Sequence, residues 1–275
     1  MSDRENVRVL EGQLGEPVEV FAAFDAVTQD SGNVSYGVRA GGDRYFVKTA
    51  GQPDNPLPSL SHDKRVALLR NAVRLRASYD HPALPRLHHV IETADGPMLV
   101  YEWVNGELLG AKRAHREDPG SAFQRFRTLP AKEVAQALDV VFDLHAALSR
   151  EGWVAVDFYD GCLIYDFERR HIRVIDLDHY HDGPLANEMG RMFGSTRFMA
   201  PEEFELGATI DERTNVFTMG RTMSVFLSDG TLDRKAFRAT DALYQVMLRA
   251  CQEIRADRYE SVAAFHLAWA TESWC

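Results

Sequence analysis

Over residues 18–48 apolar and polar side chains alternate in short stretches, the period-two pattern of half-buried strands. The pattern breaks at Gln29-Asp30-Ser31-Gly32-Asn33 and at Gly41-Gly42-Asp43. Asn, Asp and Gly take positive φ at low steric cost, so these breaks predict hairpin turns joining three strands. Residues 51–58 form a Gly/Pro-rich interruption. Across residues 62–79 the period changes: Val66, Leu69, Val73 and Leu75 recur at roughly three- and four-residue steps, which predicts a helix. Residues 88–91 and 98–104 read as two further strands. Helical spacing then dominates. Pro130 opens a long helix to about Arg150 that Gly152 stops, and further helices are expected over 213–227, 240–254 and 261–271. There is no internal repeat and no low-complexity linker. The expected fold is α+β: a strand-rich first hundred residues with one helix, then a mostly helical remainder.

Composition narrows the class. With 45% hydrophobic and 26% charged residues, the chain reads as an ordinary globular protein. Its net charge of −10 argues against nonspecific nucleic-acid binding, which needs a basic footprint to displace counterions. Cys162, Cys251 and Cys275 show neither disulfide nor zinc spacing, pointing to a reducing cytosol. No apolar run approaches the roughly 18 residues of a membrane span, and the charged N-terminus is no signal peptide. A soluble, cytoplasmic protein with no nucleic-acid or membrane partner is expected.

Three motifs speak to architecture more than to chemistry. The first is Gly194-Ser195-Thr196-Arg197-Phe198-Met199-Ala200-Pro201-Glu202, a short loop closing on Ala-Pro-Glu. Arg213-Thr214-Asn215-Val216-Phe217-Thr218-Met219-Gly220 and Ala256-Asp257-Arg258-Tyr259-Glu260-Ser261 follow in order. Together they resemble the bacterial relatives of the eukaryotic-type Ser/Thr protein kinases, over most of the chain. The resemblance implies a bilobal fold, with a small β-rich N-lobe over 1–104 for nucleotide and a larger helical C-lobe over 105–275 for catalysis and substrate. It implies a buried ion pair between Glu202 and Arg258, and it puts Asn215 where an anchoring aspartate is usual. Ser195 and Thr196 fall in the activation segment, Ser195 at the position of a threonine that contacts the catalytic aspartate.

The same resemblance assigns the nucleotide residues. Tyr45-Phe46-Val47-Lys48 is similar to the strand whose lysine holds the phosphates, although apolar strands often end in a lysine that merely reaches solvent. Asp80-His81-Pro82-Ala83-Leu84 resembles the loop ahead of the fourth strand. In the hinge-like run 99–107, the main chain around Glu102 and Val104 would pair with adenine, Tyr101 would be the gatekeeper and Glu107 could reach the ribose. An edge strand running into a helix cap fits those letters as well. Only Gly32 remains of the phosphate-covering glycines. The lysine's usual glutamate should fall near Asn71 or Ala72, yet residues 64–76 contain no acid. Either another carboxylate pairs with Lys48 or the phosphates position it. The basic run Arg65, Arg70, Arg74 and Arg76 reads as a solvated helix face.

In Val154-Ala155-Val156-Asp157-Phe158-Tyr159-Asp160-Gly161-Cys162 the resemblance makes Asp157 the catalytic aspartate. Ala155 and Val156 replace the usual His and Arg, Tyr159 a lysine, and Cys162 the metal-binding asparagine. Without an arginine before Asp157, a phosphorylated loop has no arginine there to dock on. In Arg173-Val174-Ile175-Asp176-Leu177-Asp178-His179, Asp176 would bind Mg²⁺. Asp178 either supplies the second carboxylate that a thiol at Cys162 cannot, or caps the next turn. The implied activity is ATP- and Mg²⁺-dependent transfer to a serine or threonine hydroxyl of a protein substrate. The alternatives are a pseudokinase that binds nucleotide or a regulatory protein partner, and a small-molecule kinase.

Overall fold

The computed structural model describes residues 3–25, 32–53, 60–110 and 116–273, which divide into two compact units. Residues 1–80 and 85–104 form one, residues 81–84 and 105–275 the other. The architecture is mixed α/β.

The first unit holds helix α1 (Asp3–Leu14), strands β1 (Glu19–Phe24), β2 (Val34–Ala40) and β3 (Asp43–Thr49), helix α2 (His62–Ser78), and strands β4 (Leu87–Thr93) and β5 (Gly96–Glu102). The strands make one antiparallel sheet in the order β1-β2-β3-β5-β4. Ala40 faces Asp43 across a two-residue turn in which Gly41 and Gly42 take φ of 56° and 92°. That double positive φ matches the twist of the flanking strands and suits glycine. Of the other expected turn, residues 29–31 lie outside the described residues, as do residues 54–58 of the Gly/Pro-rich break.

Helix α1 corrects the expectation of one helix in this unit. Its buried positions are Asn6 and Leu10, one polar and one apolar at i and i+4, so no apolar stripe betrays it in the letters. Leu10 joins Tyr36, Val38, Val47, Met98 and Val100 in a core on one side of the sheet. Because side chains alternate along strands, the neighbours of Val47 and Val100 point the other way. There Leu99 packs with Ala50 and with Leu69 and Ala72 of α2.

Residues 81–84 interrupt the first unit in sequence and belong with the second. His81 Nε2 lies 3.1 Å from Asp143 Oδ2, Val174 donates its N–H to Ala83 O, and Arg173 donates to the carbonyls of Pro82 and Leu84. These bonds satisfy the loop's main chain from inside the second unit.

That unit is built on α3 (Ala122–Thr128), α4 (Ala131–Arg150), α5 (Glu212–Leu227), α6 (Asp241–Ala250) and α7 (Val262–Ser273). The short strands β6 (Glu107–Leu108), β8 (Leu163–Asp166) and β9 (His171–Val174) form one ribbon. Strand β7 (Trp153–Val154) pairs with β10 (His181–Asp182), and β11 (Leu185–Ala186) with β12 (Thr209–Ile210). Helix α4 packs Phe142 edge-on against Phe265 and Trp269 of α7. Nearly every residue of α5 after its first turn is buried, as in a helix at the centre of a domain. Asp211 caps its start by accepting from the Arg213 N–H. Cys162 and Cys251 are buried thiols, and Cys275 lies outside the described residues. No helix among the described residues is long and apolar enough to cross a membrane.

Candidate functional site

In the first unit Lys48 is nearly buried, at 9% exposure, and register pairs it with Leu99. It therefore stands on the sheet face that meets α2. Helix α2 turns Leu69, Ala72 and Leu75 inward and carries one acid, Asp63, in its first turn. The sequence position at Ala72 thus meets the sheet with a methyl group. Arg65 departs from the solvated-face reading. It is fully buried and donates to the carbonyls of Ala50, Leu60 and Gln52 at 2.7, 2.7 and 2.9 Å. A guanidinium offers five donors in a rigid fork, which lets one side chain fasten the chain leaving β3 just beyond Lys48. Arg70 pairs with Glu92 at the surface, and the largely buried Arg76 reaches the exposed Asp80. Gly32 lies two residues ahead of β2, and its carbonyl leaves no room for a side chain on Gly51. Glu102 and Trp103 donate their N–H groups to Arg86 and Arg44 carbonyls, and Val104 ends the unit.

In the second unit the two aspartates singled out from sequence come from segments far apart in the chain. Asp157 follows β7 and Asp176 follows β9. Both take left-handed backbone, φ of 63° and 62°, and among the described non-glycine residues only Arg170 shares that sign. Left-handed backbone costs an ordinary L-residue roughly 1–2 kcal/mol, less for aspartate, and persists where the surroundings impose it. The surroundings here are specific. Ile175 donates its N–H to Cys162 O, and the Cys162 thiol lies 3.5 Å from Asp157 O. Burial, then the charges of Asp176 and Asp157, push the Cys162 thiol pKa well up. Cys162 is a neutral thiol turned to a carbonyl, a poor ligand for a hard cation. The hydroxyls of half-buried Tyr159 and buried Tyr180 are pushed up by burial first, then by the neighbouring Cys162 and the same two carboxylates. Asp178, two residues past Asp176, is 4% exposed. Among the described residues no three His, Cys, Asp or Glu side chains gather as a metal cage.

Asp160, given no role from sequence, is buried and ion-paired with Arg197. The Arg197 guanidinium lies between the rings of Phe123 and Phe198, 5.4 and 5.2 Å from their centroids. This pair fastens the loop of Asp157 to the segment that ends in Ala-Pro-Glu. A Cβ on Gly194 would stand 3.6 Å from Asp157 Oδ1, so the segment runs directly past that carboxylate. Ser195 is half-buried and Thr196 exposed. Glu107, assigned to a ribose, is held by Arg125 at 2.8 Å at the surface.

Glu202 and Arg258 form a bidentate pair at 2.7 and 3.0 Å, both buried, and Thr214 donates to Glu202 at 2.9 Å. Arg258 spends its other donors on the carbonyls of Gln252, Arg213 and Glu253. Next to it Glu203 is buried with one oxygen accepting from Ala200 N–H, and burial pushes its pKa up to about 7. The signals that could have found Asp160 and Arg197 are their places inside motifs already singled out, and Glu203 directly follows one of them. No model of a known protein family matches the chain, and no curated protein matches it.

Proposed function

We propose that the chain is an ATP- and Mg²⁺-dependent serine/threonine protein kinase of the bilobal kind, cytoplasmic, with an atypical catalytic loop. One observation carries this reading: the two aspartates that the motifs assign to proton transfer and metal binding are both held in left-handed backbone, φ of 63° and 62°. Strain of that kind concentrates at functional sites. In this reading Asp157 orients the acceptor hydroxyl and takes its proton, and Lys48 binds phosphate oxygens. Main-chain groups around Glu102 and Val104 serve the adenine. Asp176 would hold Mg²⁺, with Asp178 as a second carboxylate. Magnesium commonly takes one or two carboxylates and completes its shell with water and phosphate, so the absence of a full side-chain cage among the described residues suits it. When bound, it would neutralise charge on the transferring phosphoryl group.

Two measurements test the proposal. Mg-ATP at a hundredfold excess over its dissociation constant should stabilise the folded chain by about 2.7 kcal/mol, raising the melting temperature. Label from γ-labelled ATP should pass to casein or to the chain itself and be lost in Asp157→Ala. Transfer that persists in Asp157→Ala, or no thermal response to Mg-ATP, overturns it. The neutral Cys162 at a metal position favours a second reading, a nucleotide-binding pseudokinase that serves a protein partner. A thermal shift without label transfer selects that reading.

A further inference from the structure

Helix α4 sends one polar side chain beneath the loops that carry Asp157 and Asp176. His145 is 3% exposed, its Nδ1 lies 2.7 Å from Val141 O, and its Nε2 lies 2.7 Å from the Tyr180 hydroxyl. A carbonyl only accepts, so Nδ1 bears the hydrogen and Nε2 accepts from Tyr180 O–H. The ring also meets Phe158 edge-on, with centroids 4.4 Å apart.

Phe158 directly follows Asp157. Tyr180 lies four residues beyond Asp176, and its N–H closes a turn on Leu177 O. One imidazole thus touches both strained segments. Both aspartates also act on the Tyr180 hydroxyl, which is buried and needs a fixed acceptor for its proton. Ala155 and Val156, ahead of Asp157, bring no hydrogen-bonding side chain of their own.

We infer that His145 is a positioning residue: by gripping Phe158 and Tyr180 together it fixes the two left-handed aspartates relative to one another. The consequence for rate rests on the kinase reading, but the coupling of the two loops does not.

The test uses the full chain with Tyr180→Phe, which removes one hydroxyl, and with His145→Gln. Amide hydrogen exchange is followed in residues 157–162 and 176–181. Breaking the Tyr180 bond to His145 should raise exchange at least threefold in both segments. The two substitutions combined should do no more than either one. Where transfer is measurable, kcat should fall tenfold or more with little change in KM for the acceptor. Exchange that rises only in residues 176–181, or nowhere, overturns the inference. So does an unchanged kcat in a chain whose wild type transfers phosphate. A wild type without transfer defeats the kinase reading instead, and the exchange result still decides the coupling.

Discussion

The side-chain amide of Asn215 grips the main chain of Ala155 in both directions: Oδ1 accepts from the Ala155 N–H and Nδ2 donates to the Ala155 carbonyl, each at 2.7 Å. Both groups are buried, and Ala155 lies two residues ahead of Asp157. An aspartate at position 215 could take only half of this. Asn215→Asp leaves a carbonyl without its donor and faces it with a carboxylate oxygen. Urea unfolding should show a loss of about 1–3 kcal/mol, and an unchanged midpoint would contradict the two-way grip.

The Asp160–Arg197 pair should respond asymmetrically. The Asp160 side chain is 2% exposed and Arg197 22%, so the arginine can turn to water and the carboxylate cannot. Arg197→Ala strands a buried charge and should cost about 3–5 kcal/mol. Asp160→Asn keeps a polar group of the same shape and should cost about 1 kcal/mol. Thermal denaturation of the two variants checks the order, and equal losses would place the pair in solvent rather than in the core.

Glu202–Arg258 sets a similar test of geometry. All five guanidinium donors of Arg258 are used, two on Glu202 and three on carbonyls. A lysine keeps the charge but not the fork. Arg258→Lys should therefore destabilise nearly as much as Arg258→Ala, by roughly 3 kcal/mol or more. Recovery of most of the stability by lysine would mean that charge alone matters there.

Two buried groups should pull the pH dependence of stability in opposite directions. Burial raises Glu203 from its ordinary 4.5 to about 7, so its contribution is full below pH 4.5 and is lost as pH rises to 7. Burial lowers His145 from 6.5 to about 4, so its contribution is full above pH 6.5 and is lost as pH falls to 4. Each amounts to about 3 kcal/mol at 1.36 kcal/mol per pKa unit, and their windows overlap between pH 4.5 and 6.5. Denaturant unfolding of the wild type should vary little there. Glu203→Gln removes the falling arm, and its stability should climb between pH 4.5 and 6.5. A flat profile in that variant would refute the opposition.

Much of the scaffold was legible in the letters because it rests on local physics. The Gly41-Gly42 turn, the change of period at α2 and the proline ahead of α4 each fix backbone within a few residues. Helix α1 was not legible, since its inward pair is Asn6 and Leu10 and half of that stripe is polar. Arg65 misled for a related reason. A charged residue on a helix reads as solvated until three carbonyls from another segment surround it.

The sequence by itself determined most strands of the first unit, helix α2 and the long helices of the second, and it singled out Asp157 and Asp176 for chemistry and Glu202 and Arg258 for a buried ion pair. Tertiary structure alone decided which of these are held together and by what. The left-handed turns at Asp157 and Asp176, the Asn215 grip on Ala155 and the His145 contact with Phe158 and Tyr180 all join residues that no local pattern relates. Main-chain strain and buried polar pairing are set by packing between distant segments, and one-dimensional spacing carries no record of that packing.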